Sequence, residues 1–312
     1  MKILLKFFVI LLLIVLVGCN KSNIIEPDSL NDEALIRLIE SEEAIQNFDE
    51  NFDDGDATGF FVGKSFGNIY PIRVGRRVTG IQRTFSREII GDSAKVQVTT
   101  EYNGFLIIAG KFSPFSPGDT TIRPDTIITK PFREIVKRNV TFKRISSRFD
   151  NNKAWKLQAI SLPEGSTTIR NIKITKVELM LPGRVPLIIT SPLDTYFFIG
   201  DPIRDLPQRK KDETVSIKVY ITSNSPEEDF VTITYGKKLG NQWPKIKRKL
   251  ELVSSAQVGD NWEKIYQGNW NIFVTHPFGR FHSVINAVTN ETIYTIQGQV
   301  SSFTWGIPYK VN

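Results

Sequence analysis

Gly91-Asp92-Ser93-Ala94-Lys95-Val96-Gln97-Val98-Thr99-Thr100-Glu101-Tyr102 is the stretch on which the fold turns. Ala94, Val96, Val98, Thr100 and Tyr102 fall on one side of an extended chain. Lys95, Gln97, Thr99 and Glu101 fall on the other, which is the two-residue period of a half-buried β-strand. Gly91-Asp92 is a turn signal, so residues 82–90 and 93–102 are predicted to pair as a hairpin. Outward from it, Phe105 to Ala109 reads as a further strand. A Pro/Gly/Asp loop follows over 113–125, then strands near 127–145 and 154–161.

The signal continues beyond that point. Val215, Ile217, Val219 and Ile221 alternate with Ser216, Lys218 and Tyr220, and similar alternation marks Val231/Ile233/Tyr235 and Ile246/Leu250/Leu252. Between 172 and 181 the apolar set slips from Ile172 and Ile174 to Val177, Leu179 and Leu181. A one-residue slip exchanges faces, so a bulge is predicted near Lys176. Helical spacing belongs to the start of the chain: Ser29 as N-cap, Asp32 and Glu33 in the first turn, and a stripe of Leu35, Leu38, Ile39 and Ile45 running to about Phe48. The expected fold class is mainly β in two domains. Residues 29–164 form an α+β domain, a helix with a curved antiparallel sheet, and residues 165–312 an antiparallel β-sandwich. Pro163-Glu164-Gly165-Ser166 marks the boundary.

Composition narrows the function. The 312 residues include one cysteine and two histidines, His276 and His282. That excludes a disulfide framework and a thiolate metal cluster and leaves little material for any metal site. The formal charge of +7 is uneven: residues 19–56 carry −10 and residues 57–312 carry +15. An acidic helix beside a basic β-rich body is therefore expected, with docking of one on the other as one outcome.

Lys2 and Lys6 precede an apolar run of eleven residues, 7–17. It is too short to cross about 30 Å of hydrocarbon and has the length of a signal-peptide core. Gly18 and the lone Cys19 follow. Leu16-Val17-Gly18-Cys19 resembles the lipobox of bacterial lipoproteins. The resemblance implies cleavage after Gly18, lipidation of the Cys19 thiol and acylation of the new amino terminus. Residues 1–18 would then be a lipoprotein signal peptide and 19–28 a lipidated tether. Several acyl chains hold a protein on a bilayer where one does not. Asn20, in place of the Asp that retains some lipoproteins at an inner membrane, implies the outer membrane of a bacterial cell envelope. Nucleic-acid and nucleotide-dependent functions are not expected there.

Two weaker resemblances concern the body. The helix with Phe-rich end, the hairpin Arg83-Thr84-Phe85 through Ile89-Ile90-Gly91-Asp92-Ser93-Ala94-Lys95-Val96, and the strand Ala154-Trp155-Lys156-Leu157 resemble the NTF2-like superfamily over residues 29–162. That likeness implies a curved sheet wrapped around helices, often enclosing a pocket. Residues 170–312 resemble immunoglobulin-like domains in strand pattern. An NTF2-like pocket would offer Glu101, Tyr102 or Tyr70 for acid–base work.

Several motifs invite a chemical reading and do not complete it. Gly63-Lys64-Ser65-Phe66-Gly67 matches the nucleophile elbow, but Pro71 and the glycines at 67 and 75 oppose the helix that should follow. Gly59 to Ser65 falls one residue short of a phosphate-binding loop. Asp49 to Asp56 is rich in carboxylates, yet Asp54 and Phe60 stand where a calcium loop needs Gly and Glu. His276 and His282 flank a Pro277/Gly279 turn and lack a third ligand. Trp262, Tyr266 and Trp270 could stack on sugars or belong to a core. Lys245, Lys247 and Lys249 share a strand face, suited to guarding a sheet edge or to meeting anionic lipid. The expected protein is a membrane-anchored envelope lipoprotein with a non-catalytic binding or assembly role, without cofactor or metal. Its partners would be the membrane through Cys19, other envelope proteins, or an anionic or glycan ligand, and not nucleic acid. The alternatives are an enzyme with an NTF2-like pocket and a glycan-binding lipoprotein.

Overall fold

The computed structural model describes residues 29–57, 69–115, 122–145, 154–199, 207–236, 245–272 and 276–312. Gly18, Cys19, the tether 19–28 and the Gly63/Ser65/Gly67 motif lie outside the described residues. The chain divides into two units, Met1–Arg37 and Leu38–Asn312. In the first, the described part is the opening of α1 (Ser29–Glu40), where Arg37 pairs with Glu33 one turn earlier at 3.6 Å, on an exposed surface.

The stripe that predicted one helix to Phe48 is divided between two. α1 ends at Glu40, and α2 (Glu43–Phe52) begins after a two-residue break. The Ser41 hydroxyl turns back to the Leu38 carbonyl at 3.2 Å, and the Glu42 carboxylate accepts from the Ala44 N–H at 3.4 Å. These local side-chain bonds compete with the helical ladder and start a new N-terminus.

The second unit is mainly β. β1 (Tyr70–Ile90) and β2 (Ser93–Lys111) form the predicted hairpin, closed by Gly91 at φ 59°, where glycine incurs no Cβ penalty. Phe105 to Ala109 continues β2 and is not a separate strand. Its neighbour is β3 (Thr126–Ile145). There follow β4 (Ala154–Ser161), β5 (Glu164–Thr167), β6 (Ile172–Met180), β7 (Leu187–Ile189), β8 (Tyr196–Phe198), β9 (Gln208–Arg209), β10 (Thr214–Ser223), β11 (Phe230–Tyr235), β12 (Ile246–Lys249), β13 (Glu251–Val258), β14 (Asn261–Asn271) and β15 (Gly279–Val288). A short helix, α3 (Asn290–Tyr294), and β16 (Ser302–Val311) complete the chain.

Among the described residues the strands make two sheets. The larger runs β1-β2-β3-β5-β16-β15-β11-β12, with β4 and β8 beyond β3 and β9 beside the end of β16. The smaller runs β13-β14-β10-β6-β7. The larger sheet curls until its ends meet. Lys247 Nζ on β12 donates to the Val74 carbonyl on β1 at 3.0 Å, and the Gly55 N–H donates to the Arg76 carbonyl at 2.8 Å. α2 lies within the curl, its Phe48 and Phe52 sharing one core with Tyr102, Phe132, Val284 and Phe230. The smaller sheet packs on the opposite face of β15 and β16, with Trp270 of β14 against Tyr235 and Tyr309.

β11, β15 and β16 are consequently buried almost throughout, on both faces. The alternation seen in Val231/Ile233/Tyr235 hides the equally buried Thr232 and Thr234. The bulge expected near Lys176 is present, since the register of β6 on β10 jumps between Ile174 and Lys176. At Leu250 the chain leaves one sheet for the other: β12 pairs with β11, and β13 with β14. The Pro163-to-Ser166 stretch, read as a domain boundary, contributes β5, paired with β3 on one side and β16 on the other. The larger sheet thus runs through it. Gly165 is needed there, because an added Cβ would lie 2.5 Å from Val136 Cγ2.

Candidate functional site

The inside of the curl is charged. Asp54, just past α2, accepts from the Arg76 N–H at 2.7 Å and the Thr234 hydroxyl at 3.2 Å, and pairs with Lys247 Nζ at 2.8 Å. Arg76 stacks on Phe52 at 4.0 Å, lies 3.5 Å from the Glu134 carboxylate and donates to Thr304 Oγ1 at 3.3 Å. Ser302 donates to the same Glu134 oxygen at 2.8 Å. Burial pushes the Asp54 carboxyl up, but Lys247, Arg76 and their hydrogen bonds outweigh it and hold the group below its ordinary value. Arg76 Nε and Nη2 and Glu134 Oε1 keep no hydrogen-bond partner, so charge pairing holds this interior without saturating it.

Acidic residues between 42 and 56 meet the basic sheet here, one of the outcomes that the charge asymmetry left open. Asp49 takes hydrogen bonds from Arg83 and Tyr102, Glu42 pairs with Arg280 at 3.2 Å, and Asp56 pairs with Lys245 at 2.8 Å. The carboxylates of Asp49, Asp54 and Asp56 are therefore spent on cations of the body. No cluster of three or more metal-ligating residues exists among the described residues.

Lys245, Lys247 and Lys249 sit on an edge strand, as their spacing suggested, but they do not form a basic outer surface. Lys247 is buried against Asp54, Lys245 reaches Asp56 and the carbonyls of Glu50 and Asp53, and Lys249 pairs with Glu228 at 2.7 Å. The curl turns this face inward, where Asp54 and Asp56, just past α2, and Glu228 supply the carboxylates that compensate it.

The residues suggested for acid–base work do not converge. Glu101 and Tyr102 are neighbours on β2 and point to opposite faces. Hydrogen bonds from Arg133 and Asn103 hold the Glu101 carboxyl down to about 2. Burial, then the Asp49 charge, drives the Tyr102 hydroxyl well above its ordinary value. Neither group titrates near neutrality. Tyr70 stands at the other end of the hairpin, opposite Lys111.

The remaining candidates are mostly core. Tyr266 and Trp270 are buried: the Tyr266 hydroxyl accepts from the Asp229 N–H at 2.8 Å, and Trp270 lies beneath Arg209 at 4.8 Å. Neither offers a ring face to a sugar, and Trp262 at the far end of β14 is half-buried. The two histidines part company. His276 Nδ1 donates to the Pro277 carbonyl at 2.9 Å, and its Nε2 takes the Tyr309 hydroxyl at 3.0 Å. His282 Nδ1 donates to the Ala44 carbonyl at 2.7 Å, edge-on to Phe48. Burial lowers both imidazoles from their ordinary value, His282 well below it, so both are held neutral.

Two of the clefts among the described residues, neither read from the sequence, lie on the long hairpin. One, of about 360 Å³, opens at the free end of the β1–β2 hairpin and is lined by Ile90, Ala94, Phe142, Tyr196 and Phe198, with Glu88 and Lys95 beside them. Ala94 belongs to the strand face read from the sequence, but β8, which supplies the last two rings, carries no alternation long enough to read. The other, of about 160 Å³, lies on the outer face of β1 and β2 between Arg73 and Arg77. No protein-family model matches the chain, and no curated protein is similar to it.

Proposed function

We propose that this chain is a lipoprotein of the bacterial cell envelope, anchored through Cys19 at the outer membrane, whose body binds or assembles with a partner and does not catalyse. The observation that carries the binding role is the apolar cleft at the hairpin end. Its size and aromatic lining suit an apolar group presented by another molecule, and the few polar groups beside it would orient that group. The interior carboxylates support the same reading, because cations of the body already engage them. The curl of β1 to β3 around α2 supports an NTF2-like origin for residues 29–162. The packing of β6, β10 and β14 on β15 and β16 supports an immunoglobulin-like origin for residues 170–312.

The anchor is tested by Cys19→Ser, which is expected to accumulate as an unprocessed precursor without lipid label; normal processing would overturn it. For the cleft, a photo-crosslinker in place of Tyr196 is expected to trap a partner in intact cells. Ala94→Phe, which fills the cleft, should abolish that product. Equal crosslinking with and without Phe at 94, or from a control crosslinker at the exposed Val185, would sink the binding reading.

A further inference from the structure

The outer face of the long hairpin combines arginines without an ion pair among the described residues with exposed apolar side chains. In register across β1, β2 and β3 lie Arg77, Phe105 and Pro131, and four residues further along each strand Arg73, Ala109 and Ile127. Phe105 is 42% exposed and Ile127 66%. Between the arginines runs the 160 Å³ groove, with Gly75, Ile107 and Ala109 among its lining and residues 55 and 57 on its other side. Gly75 lets the backbone at Gly55 close against it along the groove, since an added Cβ would stand 2.7 Å from Gly55 Cα.

The charge on this face is one-sided. Around the groove Glu101 is taken by Arg133 at 2.6 Å, Asp125 by Lys111 at 2.8 Å and Asp56 by Lys245, while Glu88 stands at the far end of the hairpin opposite Lys95. Arg73 and Arg77 have no ion pair among the described residues. Guanidinium groups without carboxylates, next to apolar side chains that water solvates poorly, match the boundary between anionic headgroups and acyl chains. We infer that this face docks on an anionic phospholipid surface, with headgroup phosphates at Arg73 and Arg77 and the Phe105 and Ile127 side chains entering the boundary. The inference rests on the membrane-anchor reading, because a tethered body meets lipid at high local concentration and needs only weak affinity.

The test uses the lipidated full chain reconstituted in vesicles, carrying Ile127→Cys or Val185→Cys labelled with an environment-sensitive dye. Cys19 is the only native cysteine, so a Cys19 lipidated at its thiol leaves the introduced thiol as the single target. Emission from position 127 is expected to shift to the blue in phosphatidylcholine vesicles containing phosphatidylglycerol and not in phosphatidylcholine alone, while position 185 stays aqueous. Arg73→Gln and Arg77→Gln should each weaken the response about fivefold, and Phe105→Ser should reduce it without altering the fold. Position 127 remaining aqueous in both lipids, or responding equally to both, would overturn the inference. Dye found on Cys19 by peptide mapping would instead show the anchor reading to be wrong, with the peptide containing position 127 still reporting on the face.

Discussion

Asp54 shows what one buried side chain does in this protein. It meets Lys247, Arg76 and Thr234 at the place where the two ends of the larger sheet come together. Asp54→Asn leaves the Lys247 ammonium buried without its counter-charge, and the expected loss is about 3–5 kcal/mol. The pH dependence follows from the depressed carboxyl. The stabilisation is complete above about pH 4, the unfolded value, and is lost as pH falls through the lower folded value. Urea unfolding should therefore show a wide gap between wild type and Asp54→Asn at pH 7 that narrows below about pH 4. A gap that stayed constant with pH would assign the loss to packing. The pairing was half visible in the sequence: the charge asymmetry offered a meeting of acids and bases as one outcome, and the Lys245/Lys247/Lys249 spacing announced a face. Which face turns inward depends on the curl, and no local pattern in 245–249 encodes that.

At the scale of elements, legibility follows solvent contrast. β2 and β10 were readable because each has one wet and one dry face. β15 and β16 were not, because both of their faces are dry, and the break between α1 and α2 was hidden because the apolar stripe continues across it. Close approaches were equally silent. Gly306 on β16 faces α2 so tightly that an added Cβ would lie 2.7 Å from Phe48 Cε2 and 2.5 Å from Pro163 Cγ. Gly306→Ala is expected to destabilise by about 1–3 kcal/mol, because a packed interior accommodates an extra carbon only by shifting its neighbours. Pairing it with Phe48→Leu should return part of the loss. If the two effects simply add in denaturant titrations, α2 is not seated on Gly306.

For the whole molecule, the consequence of β5 is cooperativity. Residues 38–164 and 165–312 share the larger sheet through β3, β5 and β16, and α2 of the first half shares its core with β11 and β15 of the second. Unfolding is expected to be a single transition, with Trp155 on the outer strands and Trp270 in the sandwich reporting the same midpoint. Two separated midpoints from single-tryptophan variants would mean that residues near 163–166 join two independent bodies. The sequence pattern could not decide this, since Pro163 and Gly165 read as punctuation whether they end a domain or admit a strand into a crowded sheet.

The double burial of β15 has a consequence for how the chain finds its alignment. In a strand with one wet face, a slip of one residue exposes oil to water and is rejected at once. Phe281, Val284, Ile285, Ala287 and Val288 would remain dry after such a slip, so apolarity says little about where β15 should stop. The choice falls to its polar members. His282 holds the Ala44 carbonyl, its own N–H reaches Asn47, and Asn286 receives the Thr304 hydroxyl at 3.1 Å. These few bonds are the vernier of the fold: they add modestly to its strength and set its alignment to the single residue.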